Sequence, residues 1–174
     1  MSSSEEERDD HFAALHEPFT GRVVAAIGRD AKNQVYPIVW AVVDVESKPN
    51  WTWFLELMHK DLSLNTGRGL VVISDQHKAL LEAVKDILPD MEHRQCARHI
   101  YANFKKAYSG LKYKKLFWAS AMSYVEGDFK RNMEKLNMIS PGAYEYVMSK
   151  QHRSWCRAYF NGGYACEAVE NGIS

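Results

Sequence analysis

Leu70-Val-Val-Ile-Ser-Asp75 is the stretch on which the fold turns. It is apolar until its last two residues, and its β-branched side chains suit a strand covered on both faces. Asp75 closes the run. A helical pattern follows at once, carried by Leu80, Leu81, Val84, Ile87 and Leu88 and stopped before Pro89. A strand leading into a helix points to an α/β layout, and ligands and catalytic groups collect at the carboxyl ends of such strands. Asp75 is therefore the first candidate site residue. Two readings of it stand side by side: a metal-binding carboxylate, or the N-cap of the next helix. Local spacing does not choose between them.

Working outward, Gly21-Arg-Val-Val-Ala-Ala-Ile-Gly-Arg-Asp30 reads as a buried strand and Tyr36-Pro-Ile-Val-Trp-Ala-Val-Val-Asp-Val45 as a second. The short polar link between them suggests a hairpin. Asn50 is the expected N-cap of a helix carrying Trp51, Phe54, Leu55, Met58 and Leu62, which Asn65-Thr-Gly-Arg-Gly69 breaks. Met91-Glu-His-Arg-Gln95 reads as a short last strand. From Cys96 onward the periodicity is helical: Cys96 to Tyr108, Leu111 to Tyr124, Glu126 to Leu136, and a helix opened by Ser140-Pro141. The stretch Phe12 to Phe19 is a weaker candidate for a first strand. The expected class is α/β: a mixed sheet flanked by helices, with a helical C-terminal half.

The 174 residues fit one ordinary domain, and 46% hydrophobic with 12% aromatic content is enough for a core. Residues 1–10, three serines and then a run of acids, read as a disordered acidic tail. Lysine plus arginine and aspartate plus glutamate both number 22, so overall charge gives no support for nucleic-acid binding. Any basic face must arise locally. Cys96, Cys156 and Cys166 do not form a secreted disulfide pattern. No apolar run is long enough to span a bilayer, and the start lacks a signal peptide. An intracellular, reducing compartment is the expectation.

Two further features carry candidate chemistry. Cys96-Ala-Arg-His99 puts a thiol and an imidazole on one helix face, with His93 three residues earlier. Both are ordinary Zn²⁺ ligands, yet a structural zinc site wants four and no second close pair appears. A buried cysteine and a hydrogen-bonded histidine are the favoured alternative. Lys105, Lys106, Lys112, Lys114 and Lys115 interleave with Tyr101, Phe104, Tyr108 and Tyr113, which suits a DNA phosphate backbone or, equally, a solvated face over core aromatics. Trp40, Trp51, Trp53, Trp118 and Trp155 read as core. No phosphate loop or serine elbow is present.

Four stretches together resemble the transposase domain of plant Mutator-like elements (MULE). They are Ala25-Ala-Ile-Gly-Arg-Asp30 running into Tyr36-Pro-Ile-Val-Trp-Ala-Val-Val43; Asn50-Trp-Thr-Trp-Phe-Leu-Glu-Leu57; Ile73-Ser-Asp-Gln76; and His93-Arg-Gln-Cys-Ala-Arg-His-Ile-Tyr-Ala-Asn-Phe104. Glu170-Asn-Gly-Ile-Ser174 resembles the run leading into the family's Glu-Ser-Phe-Asn. The resemblance implies an RNase H-like fold, nuclear location, DNA as partner, and a D-D-E triad holding two Mg²⁺ or Mn²⁺ ions for phosphodiester cleavage and strand transfer. Asp75 matches the second aspartate of that triad, and Cys96 and His99 its Cys-x-x-His signature.

Two departures from the pattern stand out. The first aspartate should fall at His11-Phe12; Asp10 lies one place off and would serve only after a register shift that flips its side chain. The family's glutamate would come next after Ser174, and Glu126, Glu167 and Glu170 sit outside the matching motif. The resemblance thus implies a domain truncated at both ends, 11–174, that is catalytically inactive. An interaction module for DNA or a protein partner, acting in transcriptional control, is the alternative. Self-association and an active nuclease completed by other segments also remain open.

Overall fold

The computed structural model describes residues 21–29, 34–75, 77–162 and 166–171. The expected acidic tail, the candidate strand Phe12 to Phe19, Asp10 and the last three residues lie outside them. The chain divides into two compact units, with the boundary between Glu46 and Ser47.

The first unit holds β1 (Arg22–Arg29) and β2 (Val35–Val43), paired antiparallel as the expected hairpin. The register slips between Ala26 and Ile27, a bulge that brings Ile27 opposite Pro37. Pro37 lacks an N–H, so an irregularity there loses no ladder bond. Beyond the bulge Gly28 pairs with Tyr36, and the tyrosine ring occupies the space that a Cβ on Gly28 would need. Trp40 is 67% exposed on this hairpin, which corrects its assignment to the core. Period-2 alternation identifies a strand but does not say which face finds a cover.

The second unit opens with α1 (Lys48–Asp61). Its N-cap is Ser47, whose Oγ accepts from the backbone N–H of Asn50, so the expected cap at Asn50 moves three residues earlier. Pro49 explains the shift, because proline is tolerated only in the first helical turn. Trp53 projects from α1 and is 46% exposed, a second correction to the expected tryptophan core. After α1 the chain turns through Gly67 at φ +80°. A side chain there would be strained and would crowd Met91 and Leu88. β3 (Val71–Ser74), α2 (Lys78–Ile87) and β4 (Glu92–Gln95) follow, and β3 pairs β4 in parallel. Leu55 of α1 and Ala83 and Val84 of α2 form a core against which Val72 and Met91 pack.

The helical half is α3 (Ala97–Ala107), α4 (Leu111–Ala121), α5 (Glu126–Ile139) and α6 (Pro141–Met148), then two 3₁₀ turns, His152–Ser154 and Arg157–Tyr159. Ser140 caps α6 through Ala143 N–H, as Ser-Pro predicts. The lobe closes on Ile100, Phe104, Phe117, Leu136 and Trp155, all fully buried. Phe117 stacks on Trp155 with ring centres 5.3 Å apart.

The described chain is thus mixed α/β with a helical C-terminal half. The described strands form two separate two-stranded sheets rather than the single mixed sheet expected.

Candidate functional site

Asp75 leaves β3 at its carboxyl end, beside the end of the parallel partner β4. Backbone N–H of Cys96 donates to Ser74 O at 2.7 Å and joins the two ends. The Asp75 side chain bends locally: Oδ1 accepts from His77 N–H at 3.0 Å. His77 itself takes the N-cap position of α2, without a side-chain cap bond. Asp75 is therefore not the helix cap. It is an Asx-turn acceptor two residues short of α2, and its second oxygen makes no hydrogen bond among the described residues.

His93 of β4 ties this turn to the neighbouring strand. Its Nε2 lies 2.7 Å from Ser74 Oγ, and Ser74 Oγ donates to Asp75 O at 2.9 Å. A hydroxyl has one hydrogen to give, so Nε2–H must be the donor toward Ser74. Burial lowers the His93 pKa, and the Asp75 charge opposes that shift in part. The neutral Nε2–H form fits both facts.

Cys96 is fully buried at the N-cap of α3, and its Sγ lies 3.6 Å from Asn171 Oδ1. His99 Nδ1 is buried with no partner among the described residues, so the hydrogen-bonded histidine expected here is not seen at that atom. Cys156 sits inside the helical lobe, where its Sγ donates to Ser120 O and burial raises its pKa to about 11. Among the described residues no three of His, Cys, Asp or Glu converge on a cation-sized site. The described donors therefore fit neither a four-ligand zinc centre nor a two-cation carboxylate site.

The three glutamates outside the matching motif are engaged elsewhere. Glu126 pairs with Lys130 at 2.8 Å, Glu170 with Arg98 at 2.9 Å, and Glu167 accepts from Tyr124 Oη at 3.0 Å.

Lys105, Lys106, Lys112, Lys114 and Lys115 are all exposed around the α3–α4 turn. The interleaved aromatics point the other way: Tyr101, Phe104, Tyr108 and Tyr113 contact one another and Phe117 in the core. The rings are thereby engaged with the core, Phe104 buried and the three tyrosines half-buried, and the lysines form the exposed, charged face. None of the five makes an ion pair among the described residues, whereas Lys130 and Arg131 of α5 each pair with a carboxylate on their own helix. The signal lay in the sequence: from Ala97 to Val125 there is not one aspartate or glutamate.

Residues 15–103 match the family model of the MULE transposase domain. The chain belongs to the MULE transposase family. The match spans more than half of the 174 residues and takes in β1 through most of α3, with Asp75, Cys96 and His99 inside it. Asp10, the α3–α4 lysines and helices α4 to α6 fall outside the matched span. No curated protein matches the chain. Within this MULE transposase domain, no described helix is long and apolar enough to cross a membrane.

Proposed function

We propose that this chain is part of a DDE-type core of RNase H-like fold from a plant Mutator-like element, working on DNA in the nucleus, with Asp75 as one of its catalytic carboxylates. One observation supports the reading most: within the matched span, Asp75 stands at the carboxyl end of a parallel strand pair, with one oxygen that makes no hydrogen bond among the described residues. Mg²⁺ or Mn²⁺ is the cation expected in the parent chemistry. Among the described residues no group of three acids, histidines or cysteines gathers at Asp75. The polypeptide is proposed not to cut DNA unaided.

The test has two arms. Supercoiled DNA incubated with the protein and Mg²⁺ or Mn²⁺ is expected to stay intact; nicking that Asp75→Asn abolishes would overturn the proposed insufficiency. Mn²⁺ added in excess to labelled protein is expected to broaden the His77 amide resonance only weakly, as contact with a single carboxylate would, and in an Asp75-dependent way. No broadening at His77 would leave Asp75 as a turn acceptor alone.

The exposed lysine face, which makes no ion pair among the described residues, favours a second reading, a DNA-binding module acting in transcriptional control. Each phosphate contact adds about 0.9 to the salt slope of duplex affinity. Replacing Lys112, Lys114 and Lys115 by alanine is expected to flatten that slope by about 2 to 3. An unchanged slope would remove these lysines from the interface.

A further inference from the structure

Arg94 is 1% exposed in the middle of β4, a charge placed inside the protein. Its guanidinium holds three things at once. Nε donates to Glu92 Oε1 at 2.7 Å, Nη1 donates to Cys166 O at 2.6 Å, and the group lies 3.8 Å over the Phe160 ring. Glu92 Oε1 also accepts from Asn161 N–H at 3.3 Å. Both sides of the pair thus reach the segment that returns from the helical lobe.

Three contacts further along run in order. Arg94 meets Cys166, Ala97 N–H donates to Val169 O at 2.8 Å, and Arg98 grips both oxygens of Glu170 at 3.1 and 2.9 Å. Cys96 meets Asn171. Residues 166–170 therefore run in the same direction as the end of β4 and the start of α3. They arrive at the carboxyl end of β4, where Cys96 is already bonded to Ser74, the neighbour of Asp75.

We infer that Arg94 is a positioning residue: it clamps the stretch at Cys166, so that Val169, Glu170 and Asn171 are delivered to the Asp75 turn. Burying an arginine stabilises little by itself, since the desolvation cost offsets most of the attraction. What a buried guanidinium supplies is direction, through planar, charge-assisted bonds and a stacked ring. The clamp also gives the Cys-x-x-His strip a structural part, because Cys96 and Arg98 continue the same seam. The inference rests on the proposed role of Asp75 for its functional meaning, but its geometry is independent of that role.

Amide hydrogen exchange on the full chain tests it. In Arg94→Met, protection of the Ala97 amide is expected to fall by about tenfold or more, while Phe104 and Leu136 keep theirs. Arg94→Lys is expected to restore protection only in part, because it keeps the charge but lacks the fork. Phe160→Leu, a milder change that removes the stacked ring, is expected to act in the same direction more weakly. Mn²⁺ is the paired probe: it should broaden Asn171 along with His77 in the native chain, and His77 alone in Arg94→Met. Unchanged Ala97 protection in both Arg94→Met and Phe160→Leu would overturn the clamp. So would an equal loss at Ala97, Phe104 and Leu136, which would make Arg94 a general core residue. Failure of Mn²⁺ to touch His77 would instead count against Asp75 as a metal ligand, with the exchange result still deciding the clamp.

Discussion

In the helical lobe the largest buried side chains include Phe104, Phe117, Leu136 and Trp155, whereas at the β3–β4 corner the buried residues include Ser74, Arg94, Gln95 and Cys96. Both regions belong to the same compact unit. The lobe is held by area: apolar surface removed from water, without preferred direction, and close-packed rings. The corner is held by hydrogen bonds that fix angles as well as distances. The difference teaches where precision resides. A core of rings can shift by a few tenths of an ångström and remain a core. A corner in which His93, Ser74 and Asp75 form one hydrogen-bonded chain cannot shift without breaking a bond.

The largest expected effect lies in the lobe. Phe117→Ala removes a ring stacked on Trp155 and tilted against Tyr101, and should cost about 3–5 kcal/mol in urea unfolding followed by far-ultraviolet circular dichroism. A loss below about 1 kcal/mol would mean the lobe core is loosely packed and would blunt the contrast. Next comes Glu92→Ala at the corner, which strips the buried Arg94 Nε and Asn161 N–H of their shared acceptor. A cost of about 2–3 kcal/mol is expected, with Glu92→Gln recovering much of it. Equal losses in both variants would show that the charge, rather than the acceptor, matters there.

The smallest effect sharpens the comparison through pH. Burial lowers the His93 pKa, so the folded state binds its proton less readily than the unfolded chain does. The stabilising share of the neutral ring is complete above the unfolded value of about 6.5 and is lost as pH falls toward the lower folded value. His152 in the lobe shifts the same way, mainly through burial and then through the Arg153 charge. Thermal melts between about pH 7.5 and 5.5 should therefore slope downward on acidification, and His93→Asn should flatten the slope only in part. A slope untouched by His93→Asn would assign the whole acid response elsewhere.

Much of this architecture can be read from periodicity. The run from Leu70 to Asp75 becomes β3, and Ser140-Pro141 opens α6, because apolar spacing and capping chemistry act over a few residues. What escapes local reading depends on distant partners. Arg94 stands in the polar stretch Met91-Glu-His-Arg-Gln95, and nothing nearby shows that Phe160 and Cys166 will fold back over it. Trp40 and Trp53 illustrate the converse, since a large apolar residue announces a preference for burial but not the neighbour that would supply it. The Asp75 site falls between the two. Its place at a strand end is legible, while the His77 and His93 contacts that define its turn are not. The lysine face was legible too, but through the missing acids between Ala97 and Val125 rather than through the lysines themselves.

The bond from Ala97 N–H to Val169 O has a consequence for growth of the domain. With the Arg94–Cys166 and Arg98–Glu170 contacts beside it, it closes the neck of the helical excursion along one short seam. The entropy of closing such a loop rises only logarithmically, by about 0.6 kcal/mol for each doubling of its length. Helices could be added to the excursion, or removed from it, at little thermodynamic penalty to the strands above. The neck, not the lobe, is the part whose dimensions are fixed.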